Sequence, residues 1–337
     1  MLKVFLIRNI PLILLVTIGE VSAQVSSQSF SHGDRYSADR SFFQLPAGKA
    51  IGSAPSIEYS PSSNSLWVVD RCGANNCVGS SQHPVLEFDL AGRFLQSFGG
   101  NLFVRPHGLH VDKEGYVWVT DGEGPNGEDP RREGKGHQVF KFSPTGELAM
   151  TLGTAGIAGS GEYEFNQPSD VVTAPNGDIF VADGHGGNSN ARIMKFDSKG
   201  AFLKSWGQSG SGNGDFAAPH TLAMDSLGRI FVGDRGNNLV QIFTQEGVFL
   251  EQWIDFGEPS GIHIDSNDII YVTDSTNREI ANRGIRIADL MNGEITNFIP
   301  DSDQTASQEG VTSDQSGNIY GSSTRSRSLQ KYSIIEN

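Results

Sequence analysis

The chain has 337 residues, with 25 Lys and Arg against 39 Asp and Glu, a formal net charge of −14 at pH 7. A chain this acidic is ill suited to nucleic acid or an anionic membrane surface as partner. Its length alone would allow two domains, but an unbroken internal repeat argues for one.

The first stretch, MLKVFLIRNIPLILLVTIGEVSA, has Lys3 and Arg8, then an apolar run from Ile10 to Ile18, then Val21-Ser22-Ala23. Residues 1–23 therefore read as a cleavable signal peptide, with an apolar run too short to span a bilayer. A secreted or periplasmic protein is expected. Loss of Lys3, Arg8 and Glu20 would leave 23 basic and 38 acidic residues, a net of −15. Residues 24–40 are polar and Ser-rich and read as a disordered lead-in, with the folded domain over 41–337. Ser41 to Leu45 looks like a strand that belongs to no repeat.

From Ser56 onward one pattern is written six times. An aromatic residue falls eleven places after a fixed starting position, and an Asp fourteen places after it in all but the last copy. The copies are Ser56–Trp67–Asp70, His107–Trp118–Asp121, Ser169–Phe180–Asp183, His220–Phe231–Asp234, Ser260–Tyr271–Asp274 and Glu309–Tyr320–Ser323. Starting positions are 51, 62, 51, 40 and 49 residues apart, so length varies between copies and not within them. Alternating apolar residues punctuated by Gly, Asp and Asn make each copy a hairpin with a following strand, as in Thr221–Met224, Ile230–Gly233 and Leu239–Phe243. Outer strands recur at Arg93–Phe98, Glu147–Leu152, Ala201–Trp206 and Val248–Trp253. The fold class is all-β, a six-bladed β-propeller, in which radial closure removes the sheet edges. The last copy stops after its third strand, Leu329 to Ile335. The N-terminal strand is expected to supply the missing outer strand of that blade.

The longest insertion, GEGPNGEDPRREGKG at 122–136, is an exposed loop. Cys72 and Cys77 are the only cysteines. A disulfide is the first expectation in an exported chain, and a zinc pair the alternative.

Around a six-bladed ring the starting positions read Ser56, His107, Ser169, His220, Ser260, Glu309. Alternate blades lie about a third of a turn apart, so His107, His220 and Glu309 converge from three sides. Two imidazoles and a carboxylate suit Zn2+ or another divalent transition metal. His110 and His263, three places further on, are expected to pack between blades. The residue after each repeat Asp forms a second ring that includes Arg71 and Arg235, which face each other across the channel. Two guanidiniums there suit a substrate carboxylate or an oxyanion. His185, in the Gly-rich loop DGHGGNSNAR, reaches for the same mouth as an acid or base.

The pieces NLFVRPHGLHVDKEGYVWVTD, HQVFKF, FNQPSDVVTAPNGDIFVADG, FAAPHTLAMD and DRGNNLVQIF resemble peptidyl-α-hydroxyglycine α-amidating lyase, over residues 54 to 333. The resemblance implies an NHL-repeat propeller that holds zinc on three histidines. It also implies cleavage of the carbinolamide C–N bond of a hydroxyglycine-extended peptide, giving amide and glyoxylate. His107 and His220 fall on two zinc ligands, and Arg71 and Arg235 on active-site arginines. Glu309 stands at the third zinc His, His185 at a catalytic Tyr and Ser307 at a Met beside the site. Gly310 replaces an Asp that helps hold a structural Ca2+, while Leu109, whose counterpart lends a backbone oxygen, is kept.

The expectation is a metal-dependent lyase-like enzyme, acting as a monomer on a small or peptide-derived substrate that bears a carboxylate. A lactonase-type hydrolase and a non-enzymatic NHL-repeat binding propeller are the alternatives.

Overall fold

A computed structural model describes residues 36–275, 283–301 and 307–335. The stretch read as a signal peptide and most of that read as a lead-in lie outside the described residues. Six four-stranded antiparallel sheets form the structure. The first blade is β2 (Ser56–Ser60), β3 (Ser65–Val69), β4 (Val85–Asp89) and β5 (Phe94–Phe98). The second is β6 (Pro106–Val111), β7 (Val117–Asp121), β8 (Gln138–Phe142) and β9 (Leu148–Leu152), and the third β10 (Pro168–Thr173), β11 (Ile179–Asp183), β12 (Arg192–Phe196) and β13 (Phe202–Trp206). The fourth comprises β14 (Pro219–Met224), β15 (Ile230–Asp234), β16 (Leu239–Phe243) and β17 (Phe249–Trp253). The fifth comprises β18 (Pro259–Ile264), β19 (Ile269–Asp274), β20 (Gly284–Asp289) and β21 (Ile295–Pro300). The sixth has β22 (Gln308–Ser313), β23 (Ile319–Ser323), β24 (Ser328–Ile334) and, on its outer edge, β1 (Tyr36–Asp39).

The first strand of every blade touches the first strands of both neighbours, β22 with β2 included, so the ring is closed around a channel. The repeat aromatics Trp67, Trp118, Phe180, Phe231, Tyr271 and Tyr320 are all buried. Each of the six apolar clusters joins two adjacent blades rather than filling one. One blade alone would leave its apolar face in water, which is why the unit had to be repeated.

The repeat carboxylates do a different job. Asp121 accepts backbone N–H bonds from Val104 (2.8 Å) and Arg105 (2.6 Å), and Asp234 from Ala217 and Ala218 (both 3.0 Å). Asp70, Asp183 and Asp274 take Gly52, Asn166 and Glu258 in the same way. Each buried carboxylate ties down the loop that enters its own blade, and the low-dielectric interior strengthens those charge-assisted bonds.

The closing strand differs in place from the sequence expectation. Tyr36–Asp39, inside the stretch read as lead-in, pairs antiparallel with β24, Ala38 opposite Tyr332. Ser41 to Leu45 makes only a single bridge, Gln44 to Arg93. Its aromatics plug the seam between the last and first blades, with Phe42 5.8 Å from Tyr320 and Phe43 5.1 Å from Phe88. Burial of two adjacent phenylalanines outweighs the alternation that a strand would impose there.

A chain beginning at Ser41 lacks this outer strand. Its thermal midpoint is expected to fall by about 5–10 °C in a calorimetric scan. An unchanged midpoint would show that β1 does not seal the ring.

Candidate active site

The channel-facing side chains owe their direction to a β-bulge. In blades two to six the register slips by one residue at the starting position, so that Ser169, His220, Ser260 and Glu309 have no cross-strand partner, nor has His107 with its neighbour Gly108. Ser56 of the first blade sits in regular register, opposite Val69. A bulge re-aims its residue, here into the channel, and shifts the alternation by one. That shift adds to the expectation for His110 and His263. Three places beyond a bulge they line the channel, and their rings bridge to neighbouring blades as expected, His110 to Glu58 and Thr173 and His263 to Ser313.

His107 and His220 are buried, and each places Nδ1 2.8 Å from a carbonyl of the next blade, of Ser169 and Ser260 respectively. A carbonyl only accepts, so both Nδ1 atoms carry the hydrogen and both Nε2 lone pairs point inward. His185 arrives from the loop between β11 and β12. Its Nε2 lies 3.1 Å from His107 Nε2 and 3.2 Å from His220 Nε2. Arg235 Nη2, which only donates, is 3.5 Å from the same atom. The loop is held by Ser189 Oγ, which accepts from His185 N at 2.9 Å and donates to Gly186 O at 2.8 Å. Gly184 starts it at φ +152°, where a side chain would collide with the Asn190 carbonyl.

All three imidazoles are held well below the usual histidine range. Burial is the leading cause in each; Arg71, Arg105 and Arg235 add to it at His107 and His185, and Arg235 at His220. They are therefore neutral, the form that binds metal. With His185 Nε2 unprotonated, three lone pairs would face one another, an arrangement that a cation between them satisfies. The donor set suits a metal ion, and His107, His185 and His220 form a group that can hold one.

Glu309 comes to the same place, as expected, but at its edge. Its Oε1 is 3.4 Å from His220 Nε2, 3.9 Å from His107 Nε2 and 3.6 Å from Arg235 Nη1. Its Oε2 accepts from Thr324 Oγ1 at 2.9 Å. Arg71 is buried and donates from Nε to the Pro106 carbonyl (3.1 Å) and from Nη1 to Asn75 (3.2 Å). Burial, then the nearby Arg105 charge, pulls its guanidinium down to about 10, against the pull of Glu309. Cys72 and Cys77 form a disulfide in the loop just after it. Arg71, His185, Arg235 and Glu309 thus line one mouth with Arg105, which the sequence reading passed over. The sign that could have found it is its place two residues before His107, in Arg-Pro-His.

Below the imidazoles the channel widens into a cavity of about 290 Å³, lined by Glu58, His110, Asp170 and His263 among others. His110 lies 3.1 Å from Glu58 and 2.9 Å from Thr173. Burial pushes His110 down, but Glu58 together with Asp112 and Asp170 leaves it above the usual range. Gly310 faces this region. A Cβ there would stand 2.6 Å from Ser322 Oγ and 2.8 Å from Ile57 N, so no carboxylate fits without moving the first blade.

The NHL repeat matches residues 165–196 and 216–243. Peptidyl-glycine alpha-amidating monooxygenase B of Xenopus laevis is 34% identical over 260 residues, covering 72% of this chain and 27% of that protein. Peptidyl-alpha-hydroxyglycine alpha-amidating lyase 1 of Drosophila melanogaster is 39% identical over 175 residues, 48% of this chain and 29% of that one. The chain belongs to the amidating-lyase family of NHL-repeat propellers. A further relative is NHL repeat-containing protein 3 of Mus musculus, 34% identical over 182 residues, 52% of this chain and 49% of that protein. The chain spans less than half the length of each of these relatives. Among solved structures, a streptogramin B lyase superposes with TM-score 0.58 at 14% identity, over 90% of this chain and 99% of that one. A gluconolactonase from Xanthomonas campestris gives 0.60 at 13%, over 85% and 87%. Both likenesses show the fold alone.

Asp170 offers a pH test of this channel within the lyase-family propeller. Enclosure pushes its carboxyl up from 3.8 to about 7, against the hydrogen bonds of Leu222 N, Val171 N and Thr221 Oγ1. The folded state then holds a proton that the unfolded chain has released, so stability falls as pH rises between about 4 and about 7. Asp170→Asn should flatten that decline by about 2–3 kcal/mol, read by urea unfolding at pH 5 and pH 8. Equal slopes in both proteins would show that Asp170 titrates as an ordinary carboxylate.

Proposed function

We propose that the protein is an exported, metal-dependent lyase that cleaves the C–N bond of a carbinolamide, releasing glyoxylate and an amide. The observation that carries this reading is the convergence of three neutral imidazoles beneath two guanidiniums. The Cys72–Cys77 disulfide supports export to an oxidising compartment. Among the described residues, no helix is long and apolar enough to cross a membrane.

In this reading His107, His185 and His220 would hold a Zn2+ or similar ion, whose chemistry there is Lewis-acid polarisation of a substrate oxygen. Arg71 and Arg235 bind and orient the substrate carboxylate. Glu309, held by Thr324, takes the proton of the carbinol hydroxyl as that oxygen forms a carbonyl. The C–N bond breaks, its electron pair goes to the amide nitrogen, and Glu309 returns the proton there. His185 and Glu309 thus exchange the roles that their places in the repeat suggest. The burial that keeps His185 neutral suits a ligand, and the carboxylate at the edge suits a base.

The test is turnover of α-hydroxyhippurate to benzamide and glyoxylate. His107→Ala and His220→Ala should each cut kcat by about a thousandfold or more. Glu309→Gln should cost about 10²–10⁴ in kcat with KM little changed, and Arg71→Met should mainly raise KM. Wild-type protein inert on this compound would refute the lyase. Hydrolysis of a lactone panel by that inert protein would assign a hydrolase instead.

A further inference from the structure

The mouth above the imidazoles encloses about 390 Å³ and is lined by Arg71, Arg105, Arg235, Arg325 and Arg327; among the described residues Glu309 is the one acid in that lining, and no lysine takes part. In a chain of net charge −14 this is a local inversion of sign, which focuses anions into the cup. A carbinolamide carboxylate occupies Arg71 and Arg235 in the function proposed above. Arg105 is then a guanidinium beyond what that substrate needs.

Arg105 is set in place from below. Its backbone N–H is held by Asp121 at 2.6 Å, two residues before His107. Its Nη1 pairs with Glu123 at 2.7 Å, but the other oxygen of Glu123 is taken by Arg132 Nη1 at 3.0 Å. One carboxylate is thus shared between two guanidiniums. Arg105 Nε is buried with no hydrogen-bond partner. A buried, unsatisfied donor on a charged group is costly, and the part of the Arg105 side chain that remains exposed, 27%, lines a cavity crowded with like charge.

We infer that the substrate carries a second acidic group, on the acyl side of the amide, and that Arg105 recognises it. This rests on the carboxylate clamp of the proposed function and names the substrate class that the clamp alone leaves open. The cup's volume suits a small ligand. A planar guanidinium takes carboxylate and phosphate-like groups alike, so the shared feature is an oxyanion with two oxygens to offer.

The test uses unreactive N-acylglycines in isothermal titration calorimetry with the purified protein. N-butyrylglycine has one carboxylate, and N-succinylglycine adds a second at the chain end. N-(3-phosphonopropionyl)glycine replaces that second carboxylate by a phosphonate and tells which oxyanion is preferred. Succinylglycine is expected to bind about tenfold more tightly than butyrylglycine. Raising NaCl from about 50 to 300 mM should shrink that advantage, because the added contact is ionic. Arg105→Met should reduce the advantage to under about twofold while butyrylglycine binds as before. Arg105→Lys keeps the charge and the partner Glu123, and should retain an intermediate advantage even if the Met variant is too unstable to assay. Equal binding of the two ligands to wild-type protein, or an advantage that survives Arg105→Met, would overturn the inference alone. Failure of both ligands to bind would overturn it together with the carboxylate clamp. Inertness on α-hydroxyhippurate with the succinyl preference intact would remove the lyase and leave the second-anion site standing.

Discussion

In five of the six blades a buried carboxylate at the end of the second strand, tied to the backbone of the loop that enters the first, fixes where the channel residue stands. Asp121 holds Val104 and Arg105, just ahead of His107. Asp234 holds Ala217 and Ala218, just ahead of His220. Without those bonds the bulge that turns each imidazole inward would rest on a free loop. The carboxylate costs solvation: burial pushes Asp121 up to about 7 against the two N–H groups that stabilise its charge. What it secures is a position for the next blade to use. The Ser169 and Ser260 carbonyls, themselves at bulges, set the tautomers of the histidines one blade back. Fold and site are thus a single hydrogen-bonded ring.

Electrostatics then sorts the side chains at the mouth. Burial and three arginines exclude a proton from His107 and His185, so neither is suited to deliver one at neutral pH. Glu309 is the acid among the pocket-lining arginines, within 3.6 Å of Arg235 and braced by Thr324. In the proposed function, a carboxylate at a position where the repeat would place a ligand and an imidazole on a loop where the family resemblance would place an acid or base are one compensated exchange rather than two separate losses.

The period, the buried aromatics and the ring of Ser56, His107, Ser169, His220, Ser260 and Glu309 were legible because each obeys a local constraint written at fixed spacing. So was the meeting of Arg71 and Arg235 at one mouth. The bulge was not legible. It adds no residue to the frame, since Ser56 shares the same spacing and sits in regular register. That hidden slip is why the channel face of His110 and His263 could not be read from spacing. Closure by Tyr36–Asp39 was also beyond pattern reading, because four half-polar residues carry little alternation while the neighbouring Phe42-Phe43 pair carries much. The joining of His185 to His107 and His220 depends on how an eight-residue loop, Gly184 to Ala191, folds over the channel, and spacing does not encode that.

Metal stoichiometry in three proteins tests the account most directly: wild type, His185→Ala and Glu309→Ala, each purified without chelators and read by mass spectrometry. If three imidazoles hold the ion, wild type and Glu309→Ala carry about one equivalent and His185→Ala loses it. Retention in His185→Ala with loss in Glu309→Ala would restore the carboxylate as third ligand. A wild-type protein that binds no transition metal would contradict the account altogether.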